Sequence, residues 1–142
     1  MAKQEVENPD HVVPEAYHGT ELGTAQRLSK GEPFRWSTNE DRYLGDGAYF
    51  FEGCSELAVI WAKPKFPKYG VLCASIRLGR CLDLHSVKAI RIVRKVRDSL
   101  SKRRPEKEIT LAAVINFYAE EINTRIETVR GTHLKCTRLD FI

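Results

Sequence analysis

The chain has 142 residues, 42% of them hydrophobic and 30% charged, with a formal net charge of +4. This composition excludes a disordered polypeptide, and the length lets one domain bury a core without a metal or disulfide staple. No apolar run approaches the ~18 residues of a membrane span, and the polar, acidic N-terminus lacks the apolar stretch of a signal peptide. The expectation is therefore a cytoplasmic protein with no membrane partner, one domain over residues 1–142 whose first 11 residues form a flexible tail.

Val12 to Tyr17 reads as a short strand in which Pro14, unable to donate to a ladder, lies near a sheet edge or near the strand's start, and it runs into His18-Gly19-Thr20. Thr24 to Lys30 reads as a helix stopped by Gly31, and the turn-rich stretch from Glu32 ends in Gly45-Asp46-Gly47. Ala48-Tyr49-Phe50-Phe51 is a compact aromatic strand. Ser55 is placed to cap a helix from Glu56 to Lys63 that buries Leu57, Ile60 and Trp61 and is ended by Pro64 and Pro67. Val71 to Leu78 forms a strand whose apolar face is Leu72, Ala74, Ile76 and Leu78, and Cys81 to Leu84 forms another after Gly79.

Val87, Ile90, Val93, Val96 and Leu100 recur at helical spacing, which predicts an amphipathic helix. A further helix from Ile109 to about Glu121 would bury Leu111, Val114, Ile115, Tyr118 and Ile122. Two extended segments, Thr124 to Arg130 and Leu134 to Phe141, close the sequence. Strands and helices mix without strict alternation, which predicts an α+β fold.

The four cysteines, Cys54, Cys73, Cys81 and Cys136, show no C-x-x-C pair and no zinc-ligand rhythm with the histidines, so no metal is expected and the thiols read as reduced. Cys73, in an apolar alternating run, reads as a small core residue. Charge divides unevenly: residues 1–60 carry a net −6 and residues 61–142 a net +10. The densest basic stretch, 88–104, holds Lys88, Arg91, Arg94, Lys95, Arg97, Lys102, Arg103 and Arg104 against Asp98 alone. Such asymmetry points to a polyanionic partner, whether RNA, DNA or an acidic protein.

Two segments hold more chemistry than a core needs. In Tyr17-His18-Gly19-Thr20, glycine lets a ligand approach the backbone while imidazole offers a directional hydrogen bond. In Tyr43-Leu44-Gly45-Asp46-Gly47-Ala48-Tyr49-Phe50-Phe51, a glycine turn delivers an aromatic strand whose Tyr49 could stack on a planar ring. This is not the dinucleotide G-x-G-x-x-G fingerprint, since the spacing fails and a strand follows instead of a helix.

In this order the two segments resemble the ADP-ribosyltransferase superfamily, in the His–Tyr–Glu branch that includes the poly-ADP-ribose polymerases. The matching residues are His18-Gly19-Thr20, the helix ending at Gly31, Gly45-Asp46-Gly47-Ala48-Tyr49-Phe50, then Ser55 and Ala58. The likeness extends to small bacterial members, toxins included, through the stretch from Leu44 to Glu52 and through Leu78-Gly79-Arg80-Cys81-Leu82-Asp83-Leu84. It covers residues 16–85 well and the remainder poorly.

The resemblance implies a split β-sheet core with flanking helices and NAD as co-substrate. It implies that His18 hydrogen-bonds the adenosine ribose, that Gly19 holds the nicotinamide carboxamide, that Thr20 sits beside NAD and that Tyr49 stacks on nicotinamide. Tyr43, Gly45 and Gly47 are the further candidates for NAD binding. The catalytic Glu is where the chain departs: none follows Val129-Arg130-Gly131, Asp140 is the only later acid, and Glu127 is the best-placed Glu by strand position. The family's Ser and second Tyr map near Leu57 and Ile60. The implied activity is transfer of ADP-ribose to a macromolecule, with nucleic acid favoured over protein by the basic stretch 88–104, in a toxin held by an antitoxin protein or a phage-defence factor. The alternative is a catalytically degenerate member that binds a ligand or nucleic acid.

Overall fold

The computed structural model describes residues 11–35, 44–132 and 140–141. The first strand, β1 (Val12–Glu21), extends past the expected Tyr17 to include the whole His-Gly-Thr segment. His11, assigned to the tail, accepts a 2.9 Å hydrogen bond from the Leu78 amide. Helix α1 (Leu22–Ser29) starts two residues earlier than expected, because the Glu21 carboxylate accepts from the amides of Gly23 (3.0 Å) and Thr24 (3.2 Å). Those amides have no partner inside the helix, so a side chain that takes them decides where it begins.

The aromatic segment departs from expectation. Only Phe51 and Glu52 form a strand, β2 (Phe51–Glu52), and Ala48, Tyr49 and Phe50 lie outside the ladder. Helix α2 (Ser55–Ala62) follows with Cys54 at its N-cap, and Ser55, expected as the cap, is its first residue. It turns its small side chains inward: Ala58 and Ala62 are fully buried, whereas Ile60 is 66% exposed and Trp61 37%. Gly19 explains the reversal. A Cβ there would collide with the Ala58 carbonyl oxygen and approach the Ala62 Cβ to 3.0 Å, so α2 lies against β1 closer than a face of large residues permits.

β3 (Tyr69–Arg77) pairs antiparallel with β1 through a bulge between Val13 and Ala16. Ala74, Ile76 and Leu78 pack on the predicted side, while Cys73 is exposed, contrary to its reading as a core thiol. β4 (Cys81–Asp83) leads to α3 (Val87–Arg103), capped by the Ser86 hydroxyl on the Ala89 amide at 3.1 Å. The buried stripe of α3 is Ala89, Val93 and Val96, and the expected Val87 and Ile90 are 64% and 40% exposed. Side chains spaced strictly by three drift about 60° per step, so Val87 and Val96 cannot share a face.

Helix α4 (Leu111–Phe117) is capped by Thr110 and continues as a π-helical turn, Tyr118–Ile122, that leaves Ile122 exposed. β5 (Thr128–Thr132) begins four residues later than expected, and of the last extended segment only β6 (Asp140–Phe141) lies within the described residues. The six strands run in the order β3-β1-β2-β6-β5-β4. Among the described strands only β4 and β5 pair in parallel; the other pairs are antiparallel. With helices on this mixed sheet, the fold is α+β. The larger core gathers Leu44, Phe51, Leu82 and Val114 with the inner faces of α3 and α4, and a smaller one gathers Val13, Ala16, Phe50 and Leu78.

Candidate functional site

β1 and β2 pair at only two positions, Ala16 with Glu52 and Tyr17 with Phe51. Continued in register, the ladder would set His18 opposite Phe50 and Gly19 opposite Tyr49, and it stops there. In its place the His18 side chain crosses the gap, with Nδ1 2.6 Å from the Tyr49 carbonyl oxygen. A carbonyl only accepts, so this contact puts the proton on Nδ1. Phe34 and Phe50 hold the imidazole, each with its ring centroid 5.3 Å away.

Tyr49 turns back on the glycine turn. Its hydroxyl donates to the Gly45 carbonyl and accepts from the Leu44 amide at 3.0 Å. From the other side, Asn116 on α4 accepts from the Asp46 amide at 2.9 Å, and its Oδ1 occupies the place a Cβ of residue 45 would take. Gly45 also has φ +90, so this turn is closed to other residues on two counts. The turn is thereby pinned between its own strand and α4.

A cleft of about 410 Å³ opens beside the turn, lined by Gly45, Gly47, Tyr49, Asn116, Glu120 and Glu127 among others. That volume is within the range of small-molecule sites. Tyr49, Gly45, Gly47 and Glu127 are thus brought together, from positions nearly eighty residues apart. Glu127 stands just before β5, where its amide donates to the Arg80 carbonyl at 2.9 Å and its carboxylate lies over Gly79. His18, Gly19 and Thr20 are not among the cleft-lining residues: His18 reaches it through Tyr49, Gly19 abuts α2, and Thr20 pairs with Gly70 of β3. Tyr43 lies outside the described residues, and of Asp140 only the backbone pairing is described.

Sequence reasoning missed Asn116 and Glu120. Asn116 left a signal, an amide directly after the buried Val114 and Ile115, where an amphipathic helix has apolar residues on neighbouring positions. Glu120 left none, because it enters the cleft from a π-helical turn that helical periodicity does not foresee.

A second polar arrangement was also unforeseen. Arg130 on β5 grips Glu52 on β2 with two nitrogens, Nε at 2.9 Å from one oxygen and Nη2 on the other, and its Nη1 lies 3.7 Å from Asp83. The side chains of Arg130 and Glu52 are only 24% and 19% exposed. Burial pushes the Cys81 thiol above its ordinary value, which argues against a nucleophilic role. Among the described residues there is no cluster of His, Cys, Asp and Glu that could hold a metal, and no helix long and apolar enough to cross a membrane.

Comparisons of the chain with protein-family models, with the curated proteins and with the solved structures give no match.

Proposed function

We propose that the chain is an NAD-dependent ADP-ribosyltransferase, which cleaves NAD, releases nicotinamide and transfers ADP-ribose to a macromolecular target, nucleic acid before protein. The observation that supports this reading is the end of the β1–β2 ladder at His18, where His18 bridges to Tyr49 and Tyr49 shares a cleft with Glu127. The residues fit the co-substrate in chemical type: an aromatic ring, a backbone turn open to close approach and a carboxylate converge on one concave site.

When bound, NAD supplies a glycosidic bond whose electron pair leaves with nicotinamide while positive charge develops on the ribose. Tyr49, locked by Leu44 and Gly45, offers a fixed ring surface for the nicotinamide. Glu127 sets a negative charge on the same cleft, where it stabilises the developing cation and accepts the acceptor's proton. His18 is a positioning residue, holding the backbone of Tyr49 through its carbonyl. In this reading the protein is a cytoplasmic toxin of a toxin–antitoxin or phage-defence system, restrained by a protein antitoxin.

The test is release of nicotinamide from labelled NAD in the presence of cell lysate, with Glu127→Gln and Glu120→Gln compared at equal folding. Glu127→Gln is expected to lower release by about 100-fold and Glu120→Gln by less than about fivefold. Absence of release from the wild-type protein overturns the reading. One feature favours a second reading, a degenerate binder: Glu127 is exposed and leans on Gly79. That reading expects the wild-type protein to bind ADP-ribose and release no nicotinamide.

A further inference from the structure

A second groove, of about 720 Å³, adjoins the cleft, and Gly45, Asp46 and Asn116 line both. From this shared wall it runs to Arg103 and Arg104 at the end of α3 and to Lys107 just beyond, all three exposed. Its floor is apolar, with Leu100, Ile109 and Phe117, and the Arg103 guanidinium carbon stands 5.9 Å above the Phe117 ring. Two carboxylates also line it, Asp46 at the wall shared with the cleft and Glu108 next to Lys107, so three cations face two anions and the lining keeps a net positive charge.

We propose that this groove binds a single-stranded nucleic acid and leads one of its nucleotides to the cleft. The lining cations suit phosphates, and an apolar floor with a guanidinium plane suits a stacked base, a combination that single-strand binders use and an acidic peptide does not need. The groove has the volume of a small-molecule site, too small for a duplex, and only an unstacked base could present an acceptor atom to the cleft. Of the other basic residues of α3, Lys88, Arg91, Lys95 and Lys102 fall within roughly 60° of one another on exposed positions and serve long-range attraction, while Arg94 and Arg97 lie off that stripe. Delivery of an acceptor rests on the transferase reading; binding of the strand does not.

Fluorescence anisotropy with labelled RNA and DNA oligomers of about 12 nucleotides tests this, between roughly 50 and 200 mM salt. Arg103→Ala/Arg104→Ala/Lys107→Ala is expected to weaken binding by roughly 10–100-fold and to make the salt dependence shallower by about two. Lys88→Ala/Arg91→Ala/Lys95→Ala should bind within about threefold of the wild-type protein, since steering without contact changes affinity little. The proposal is overturned if the wild-type protein binds no oligomer, if the first variant binds as the wild type does, or if the second variant loses as much as the first. Equal competition by a duplex of the same sequence, or by poly-glutamate, overturns it too. Nicotinamide release is measured alongside: groove-dependent binding without any release sinks the transferase reading and leaves the groove standing.

Discussion

Gly19 belongs to a motif that resembles a ligand-binding element, and its structural surroundings give it a packing reason as well. An added methyl group meets the Ala58 carbonyl and the Ala62 side chain, so Gly19→Ala should displace α2 and destabilise the fold by about 1–3 kcal/mol, measured by denaturant unfolding. Sequence alone could not separate the two reasons, because both ask only that the Cβ be missing. Glu21 is a different case, a residue that looked unremarkable and sets where α1 begins. Hydrogen bonds from the Gly23 and Thr24 amides, with the Thr24 hydroxyl, hold its carboxyl below the ordinary value of 4.5. A depressed folded value means that its stabilisation is present above that ordinary value and is lost as pH falls through the lowered one. Glu21→Gln should therefore melt below the wild-type protein at pH 7, with the gap closing below about pH 4.5 in melts run across the acid range.

Three elements meet at Arg130. β2 contributes Glu52, β4 contributes Asp83 and β5 contributes the arginine. Each comes from a stretch that stood out in the sequence: Tyr49-Phe50-Phe51-Glu52, Leu82-Asp83-Leu84 and Val129-Arg130-Gly131. What was legible was that these stretches matter; that they matter to one another needed the sheet order, since Glu52 and Arg130 sit on strands separated by β6. A half-buried, two-pronged pair of this kind leaves an uncompensated charge when one partner is lost. Glu52→Gln should cost about 1–3 kcal/mol, and a double variant with Arg130→Gln should cost less than the two single changes added, a non-additivity that urea unfolding of all four proteins would reveal. Element types and order were otherwise readable from hydropathy, as for β3 and α4. Faces were less so: on α2 Leu57 packs on the core as expected, but Ile60 and Trp61 do not, because a glycine on another strand, not the helix's own periodicity, selects which side packs closest.

For the whole molecule, the sequence pointed to an α+β fold and to a basic second part, and α3 carries most of that charge on exposed positions. The candidate site was legible in pieces. Tyr49, Gly45, Gly47 and Glu127 do share a cleft, but the partition of the motif residues did not follow from spacing, because the strands part at His18 and send Gly19 to the helix side. The sheet closes through β6, whose Phe141 pairs with Phe51 on one flank and Gly131 on the other. A chain stopped after residue 138 should lose amide protection across β4 and β5 while keeping it in β1 and β3, which hydrogen exchange would resolve.

β6 also orders events in time. Among the described strands it is synthesised last, and it alone pairs with both the β3-β1-β2 block and the β5-β4 block. While the ribosome is still making the chain, the first block can pair and α2 can settle on Gly19, but the sheet as a whole cannot close. Tyr49 and Glu127 are carried on opposite sides of that late seam. In the proposed reading the two sides of the cleft are not held by a common sheet until β6 arrives, and a restraining partner has that interval in which to bind.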